Sequence, residues 1–503
     1  MLRQCLIANR GEIAVRIIRA CRELGIRTVA VYSDVDADAR HVRLADEAVL
    51  LGPAAPSESY LNIDKLIAAA HSTGCDCVHP GYGFLSEVES FAEAVIAGDL
   101  VWVGPPADAI RKMGVKTEAR ALMQAAGVPL APGFQSDDAD DAAFLAAAER
   151  IGFPVMVKAA GGGGGKGIRV VHGPAELPEA LAAARREALH AFGDPRVYLE
   201  KFIERARHIE IQVFGDAHGH IVHLFERECS AQRRHQKVIE ESPSPLITPE
   251  LRVAMGAAAV EAARAVGYVN AGTVEFIASD AGEYYFLEMN TRLQVEHPVT
   301  ELVTGLDLVK LQFAVAAGEP LPFTQADLTQ RGHAIEARLY AEDPRAGFLP
   351  AVGTLLRFVP PSGLGVRVDS GVESGDAISI HYDPLIAKII VHDSTRAGAI
   401  RRLDAALRET ILIGTTTNLG FLRALIDHPA FAAGTIDTNF IERHLDELLP
   451  PEALPLPDAA LIAAALAEMR PATAATADGL EPTAASNTDP WARADGFRLG
   501  QTG

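Results

Sequence analysis

The chain has 503 residues, 49% of them hydrophobic, which is enough for several cores, and it carries a formal net charge of −20 at pH 7. That charge argues against general nucleic-acid binding, which favours a basic footprint, and no uninterrupted apolar run approaches the roughly 20 residues a membrane helix needs. Five scattered cysteines (Cys5, Cys21, Cys75, Cys77, Cys229) give the Cys75-x-Cys77 spacing no second pair, which disfavours zinc and points to a reducing, cytoplasmic compartment.

Residues 2–8 read as a strand, leaving no room for a signal or transit peptide. A helix follows over 12–24, with Ile13, Ile17, Ala20 and Leu24 along one stripe and Gly25 as its stop. Next come a strand at 27–32, a helix at 62–72, and strands at 75–79 and 100–103. This alternation predicts a Rossmann-like parallel α/β domain over 1–112. It lacks G-x-G-x-x-G; Asn9-Arg10-Gly11-Glu12 sits at the first turn instead, so no dinucleotide site is read there. His79-Pro-Gly-Tyr-Gly-Phe84 is a loop at a strand's carboxyl end, where α/β ligands sit, though a plain tight turn would read the same.

A second piece spans 113–330, with a flap over about 131–203. Lys116 falls at the start of a helix, where a cation is favoured only if an anion binds too. A strand at 153–158 leads into Gly161-Gly-Gly-Gly-Gly165-Lys166-Gly167 and a second strand at 168–171. Consecutive glycines mark backbone that must approach a ligand closely. The run is not a Walker A loop, since Ala160 and Gly167 occupy the positions of its Gly and Ser/Thr. It reads as a mobile hairpin flap over a triphosphate, with Lys158 at its base.

Strands at 197–203 and 208–214 follow; His208, Glu210 and Gln212 share a face, which by itself is the pattern of a solvated strand. Residues 227–237 gather Arg227, Arg233, Arg234, His235 and Lys237 into a basic loop suited to an anionic small molecule. Strands at 272–278 and 283–290 flank a turn, and a two-residue turn at Ala281-Gly282 pairs Glu275 with Glu288. Like charges so opposed need a shared proton or a cation, and carboxylate ligands beside phosphate are the Mg²⁺ pattern. Continued as a strand, Glu288 to Glu296 would put Glu288, Asn290, Arg292, Gln294 and Glu296 on one face, with Met289, Thr291, Leu293 and Val295 on the other.

Five segments now stand in order: Ile7-Ala-Asn-Arg-Gly-Glu-Ile13, His79-Pro-Gly-Tyr-Gly-Phe-Leu-Ser-Glu87, the glycine flap, Gln232-Arg-Arg-His-Gln-Lys237, and Glu288-Met-Asn-Thr-Arg-Leu-Gln-Val-Glu-His-Pro298. Together, over roughly residues 2–446, they resemble biotin carboxylase, the ATP-grasp component of the biotin-dependent carboxylases. The resemblance makes 331–446 the family's C-terminal lobe, where Arg331-Gly-His-Ala-Ile-Glu-Ala-Arg338 and Ala341-Glu-Asp-Pro344 match.

It implies a mixed α/β and α+β fold and ATP-dependent carboxylation of biotin by bicarbonate through carboxyphosphate. The implied cofactor is Mg²⁺ (or Mn²⁺), with biotin as a substrate carried on another domain or chain. ATP would meet Lys116, Lys158, Gly163, Gly164 and Gly165. Glu200, Lys201 and Ile203 would line the adenine pocket, while His208, Gln232 and His235 hold the nucleotide. The metal would take Glu275, Glu288 and Asn290. Bicarbonate would lie on Lys237, Arg292, Gln294 and Val295, with Glu296 as its base, and Tyr82 and Arg338 would serve biotin. Implied partners are a biotin carrier domain and a carboxyltransferase subunit. Arg16, Arg19 and Glu23 match residues used for dimerisation in free-standing members, and read equally as a charged helix face.

From Pro450 the composition turns Pro- and Ala-rich, with one helix expected at 458–469, a linker at 471–488, and Asp489-Pro-Trp to Gly500 beyond it. This end is similar to α subunits of 3-methylcrotonyl-CoA carboxylase and related acyl-CoA carboxylases, so 447–503 is expected to be a linker and the start of a following domain. No Ala-Met-Lys-Met-type attachment sequence occurs, which fits a fragment of a longer subunit. Two other classes stay open at this stage, a different ATP-grasp acyl-phosphate ligase and a non-catalytic docking module. The run from Arg292 to Glu296 together with Arg338 speaks against the first, and the presence of Lys237, Glu288 and Arg292 against the second.

Overall fold

The computed structural model describes residues 2–136, 140–160, 168–234, 236–450 and 458–469. Residues 1–450 form one compact unit and 451–503 a second. In the second, the helix Asp458–Met469 covers the residues expected. The glycine run 161–167 (with Gly163, Gly164 and Gly165), His235 and the tail 470–503 lie outside the described residues.

The first strands are β1 (Gln4–Ile7), β2 (Arg27–Ser33), β3 (Glu47–Gly52), β4 (Cys77–His79) and β5 (Val101–Trp102), in the sheet order β3-β2-β1-β4-β5. All pairings are parallel, which explains why β1 is fully buried: crossover helices cover both faces of such a sheet. Helix α1 (Gly11–Leu24) ends at Gly25, whose φ of 72° closes it with bonds to the carbonyls of Arg22 and Cys21. Ile13, Ile17 and Ala20 are buried on its stripe, whereas Leu24 is 43% exposed. The strand order reverses between β1 and β4, so the ligand-binding crevice of such a sheet opens at their carboxyl ends. There Asn9 Nδ2 donates to the carbonyls of Pro80 (2.7 Å) and Tyr82 (2.8 Å), tying the two loops together.

A small antiparallel sheet holds β6 (Gly133–Phe134), β7 (Val155–Ala159), β8 (Arg169–Val171) and β9 (Val197–Lys201), ordered β6-β9-β7-β8. The largest sheet follows: β10 (Arg207–Gly215), β11 (Ile221–Arg233), β12 (Gln236–Ser242), β13 (Asn270–Ala278), β14 (Tyr284–Asn290), β15 (His333–Tyr340), β16 (Val366–Ser370) and β17 (Leu385–Asp393). Their order is β14-β13-β10-β11-β12-β15-β17-β16, antiparallel throughout. One sheet therefore runs across residue 330: β12 pairs with β15, and Glu240 faces Glu336.

Three expectations need correcting. Residues 227–237 are not a loop but parts of β11 and β12. The face of His208, Glu210 and Gln212 is not solvated, because β10 sits inside the sheet with all three side chains buried. Strand β14 stops at Asn290 rather than continuing to Glu296. Residues 291–296 leave the sheet and turn into helix α3 (His297–Thr304), whose first turn contains Pro298. The amide of Thr291 is bonded by Glu87 from a distant loop (3.0 Å), so no neighbouring strand takes it.

Arg16 of α1 is buried against Glu301 (2.9 Å) and Asp307 (2.6 Å), so its charge is already answered within the chain. Arg19 lies 3.7 Å from Asp369, and Lys310 pairs with Glu23.

Candidate active site

The large sheet lines up its polar residues in a row. Glu288 on β14 faces Glu275 on β13, which faces Glu210 on β10, which faces Arg227 on β11. The Glu275–Glu288 pairing is the one expected from the hairpin, though it arises differently. The turn closes through Ser279, whose amide donates to the Glu283 carbonyl (2.8 Å). A bulge between Glu275 and Phe276 then restores the register.

Three adjacent carboxylates would repel, and side-chain cations separate them. Lys116, the first residue of α2 (Lys116–Ala125), reaches Glu288 at 3.2 Å. His208 Nε2 lies 3.0 Å from Glu275. Lys237 Nζ donates to Glu210 (2.5 Å), Glu275 (2.8 Å) and Glu296 (2.6 Å), while Arg227 Nε donates to Glu210 (2.6 Å). Burial opposes each of these charges, and the opposite charges overcome it: Glu275 and Glu296 are held well below the usual carboxylate range, and Lys237 and His208 titrate above theirs.

The segment after β14 converges on this row without being a strand. Asn290 Nδ2 (2.8 Å) and Gln294 Nε2 (3.0 Å) both donate to Glu275. Gln294 Oε1 accepts from Arg227 (2.6 Å), which turns its amide nitrogen toward the carboxylates. Arg292 donates to Asn290 Oδ1 (3.1 Å) and to Glu87 (2.8 Å), and the Val295 carbonyl accepts from Lys388 Nζ (2.7 Å). Arg338 of β15 donates to Glu296 (3.0 Å), so the residues expected to serve bicarbonate and biotin touch.

On the nucleotide side the small sheet positions Glu200, whose carboxylate takes both Lys158 and Arg120. Lys201 donates to the carbonyls of Gly152 (2.8 Å) and Phe153 (3.2 Å). Ile203 lies half-buried just past β9, and Gln232 is buried on β11. Tyr82 sits apart from these, at the β1/β4 crevice, with Lys388 Nζ 5.9 Å from its ring centre.

Family models match in the same order along the chain: "Biotin carboxylase, N-terminal domain" over residues 1–110, "Carbamoyl-phosphate synthase L chain, ATP binding domain" over 115–324, and "Biotin carboxylase C-terminal domain" over 336–443. Biotin carboxylase 1 of Bacillus subtilis is 52% identical over 447 residues, 88% of this chain and 99% of that protein. The chain belongs to the biotin carboxylase family.

Among solved biotin carboxylases, the domain dimer of Hydrogenobacter thermophilus 2-oxoglutarate carboxylase, bound to MgADP, ADP and bicarbonate, superimposes with a TM-score of 0.85. It is 44% identical, over 90% of this chain and 100% of that one. The mitochondrial methylcrotonoyl-CoA carboxylase subunit alpha of Rattus norvegicus is 50% identical over 446 residues, 88% of this chain. The chain spans 62% of that subunit's length.

The biotin carboxylase residues Glu275, Glu288 and Asn290 offer an all-oxygen donor set on two adjacent strands, which fits a hard cation such as Mg²⁺. His208, Glu210 and Glu275 also cluster, but that set brings in a nitrogen, and its Glu210 is held by both Lys237 and Arg227. Sequence reasoning put Glu210 on a solvated strand face and Arg227 in a basic loop, gave Glu87 no role of its own, and passed over Glu240. Arg227 is wholly buried, with Glu210, Gln212, Thr273, Gln294 and Thr300 all accepting from it. Glu87 stood within the 79–87 motif but had no assigned partner until the fold placed Arg292 beside it. Among the described residues, no helix is long and apolar enough to cross a membrane.

Proposed function

We propose that this chain carboxylates biotin with bicarbonate and ATP, and that the observation carrying this reading is the contact of Lys237 and Arg338 with the same carboxylate, Glu296. Lys116 and Lys158 would hold the phosphates, Glu200, Lys201 and Ile203 the adenine, and His208, Gln232, His235 and Gly163–Gly165 the rest of the nucleotide. Mg²⁺ on Glu275, Glu288 and Asn290 would neutralise phosphate charge. Phosphoryl transfer is mainly positioning and charge stabilisation, which this constellation of cations and oxygens supports.

Bicarbonate would lie between Lys237, Arg292, Gln294 and the Val295 backbone. Its oxygen attacks the γ-phosphorus as the bond to ADP breaks, while Glu296 takes its proton. Carboxyphosphate then separates into CO₂ and phosphate. The phosphate takes the N1 proton of biotin, whose enolate Arg338 would stabilise beside Tyr82, and N1 attacks CO₂. Ion-paired as it stands, Glu296 is a weak base; bicarbonate drawing Lys237 away, and biotin drawing Arg338, would each raise its basicity.

The biotin would come on a carrier domain, with a carboxyltransferase subunit completing an acyl-CoA carboxylase, proposed to act on 3-methylcrotonyl-CoA or a related acyl-CoA. The Dictyostelium discoideum methylcrotonoyl-CoA carboxylase subunit alpha supports this, aligning over 98% of the chain at 48% identity. A homodimer is proposed from the solved dimeric relative. All five cysteines are buried and free, in keeping with a reducing compartment, the cytoplasm or the mitochondrion named for the eukaryotic relatives. The test is ATP hydrolysis by the purified chain with and without bicarbonate and free biotin. Hydrolysis that requires bicarbonate and rises with biotin is expected; hydrolysis indifferent to both would refute the reading.

A further inference from the structure

Behind Arg338 lies a second pair of acids that the reaction above does not use. Glu240 of β12 and Glu336 of β15 are directly opposed on neighbouring antiparallel strands, and both are completely buried. Arg338 Nε donates to Glu240 Oε1 (2.6 Å); Nη2 lies 2.5 Å from the same oxygen as an ion-pair contact and donates to Glu296 (3.0 Å). Among the described residues, Glu240 Oε2 and both oxygens of Glu336 have no hydrogen-bond partner.

We propose that Glu240 and Glu336 are positioning residues for Arg338: Glu240 anchors the guanidinium, and Glu336 carries the single proton that keeps Glu240 an anion. The inference rests on the biotin carboxylase reading of Arg338. Opposed residues on paired strands have Cβ atoms about 5 Å apart, and two dry carboxylates at that range do not both ionise. The proton belongs to Glu336, because Glu240 is ion-paired with a guanidinium that donates its Nε–H to it, whereas Glu336 accepts no hydrogen bond from the described residues.

Among the described residues, the cations around the pair are already engaged by other groups. Lys388 on β17 faces Arg338 across the strands, but its ammonium is spent on the Val295 carbonyl, on Glu12 of α1 (3.4 Å) and on Asp369 of β16 (3.9 Å). Arg367 of β16 is held by Asp369 and Glu301, and Lys237 of β12 by Glu210, Glu275 and Glu296. Cys229 of β11 and His297 of α3 are buried and uncharged, the thiol pushed up and the imidazole pushed down by burial. Burial likewise raises Glu336 well above the carboxylate range, with Lys388 opposing and Glu240 adding to the rise; Glu240 is raised to about 7.

The arrangement serves the second half of the reaction. Arg338 must leave Glu296 to meet biotin, and Glu240 gives it a fixed pivot on one oxygen while it does so. Were both acids ionised, the extra buried charge would hold the guanidinium back.

Two readouts test this on the full chain. Infrared spectra on the alkaline side of pH 7, where Glu12 and Glu240 (both raised to about 7) have given up their protons, are expected to show a protonated-carboxyl band that Glu336→Gln removes and Glu240→Gln does not; a band unchanged in Glu336→Gln would overturn the proton assignment. In kinetics with free biotin, Glu240→Gln is expected to lower the biotin-dependent rate, relative to bicarbonate-dependent ATP hydrolysis without biotin, by roughly 10- to 100-fold, with partial recovery in Glu240→Asp. Glu336→Gln, a neutral isostere of the protonated acid, should keep that ratio near neutrality and flatten its alkaline limb. A merely structural pair would lower thermal stability and leave the ratio and its pH profile as they were. If Glu240→Gln does not fold, the pH profile of Glu336→Gln decides. If the unmodified chain hydrolyses no ATP in response to bicarbonate, the functional reading fails, and the infrared result still decides the pair.

Discussion

Arg338 donates to Glu296 at 3.0 Å, joining the group assigned to biotin with the base assigned to bicarbonate. The two come from opposite sides of residue 330, Arg338 from strand β15 and Glu296 from the loop that follows β14. A proton taken up by Glu296 therefore weakens the hold on Arg338, which couples the two half-steps through one contact.

Replacing Arg338 by lysine should separate those steps. The charge facing Glu240 and Glu296 survives, so the fold should persist, but the planar fork is lost. Biotin carboxylation should fall roughly 100-fold or more while ATP hydrolysis with bicarbonate alone stays measurable. Normal carboxybiotin formation by Arg338→Lys would remove Arg338 from its assigned role.

Glu288→Gln should cut turnover sharply by weakening Mg²⁺·ATP. The carboxylate is 41% exposed and, among the described residues, its ion pair is with Lys116, so its loss should cost little stability. A rate down roughly 100-fold, partly recovered by raised Mg²⁺, is expected from a magnesium titration of ATP hydrolysis. Unchanged magnesium dependence would rule out its metal role.

Arg227 should matter to stability first. Truncation to methionine leaves Glu210, among the described residues, with Lys237 and takes the Arg227 donor from the side-chain oxygens of Gln212, Thr273, Gln294 and Thr300 in a dry interior. Breaking a buried ion pair from one side costs about 3–5 kcal/mol. Thermal unfolding of Arg227→Met should begin several degrees lower; an unaltered profile would mean that the surrounding network re-forms without it.

The region where all these residues meet was only partly visible in the chain. Glu275 and Glu288 could be paired by counting from a glycine turn, because hairpin register is local. Residues beyond Asn290 could not be followed, since the strand ends where Glu87, some 200 residues earlier, bonds the Thr291 amide. Alternation on β10 showed that His208, Glu210 and Gln212 share a face, but not that β11 and β13 would cover it on both edges and bury it. Glu240 and Glu336 carry no local signal at all; their opposition exists only in the pairing of β12 with β15.

Glu12 offers a prediction about pH. Burial raises its pKa to about 7 from an ordinary 4.5, outweighing Lys388. An acid that holds its proton more tightly when folded adds stability that is complete below 4.5 and lost as pH rises through about 7. The loss is a few kcal/mol at most, roughly 1.4 per pKa unit. Glu12→Gln should therefore gain in melting temperature over the unmodified chain across that window and hold the gain above it. Parallel melting curves at all pH values would contradict the shift.

The most direct test follows the carbon of isotopically labelled bicarbonate in the presence of ATP, Mg²⁺ and free biotin. The account predicts label on biotin, dependent on ATP and lost in Glu288→Gln and Arg338→Lys. Bicarbonate-dependent ATP cleavage with label found on no biotin, even when a biotinylated carrier domain is supplied, would contradict it.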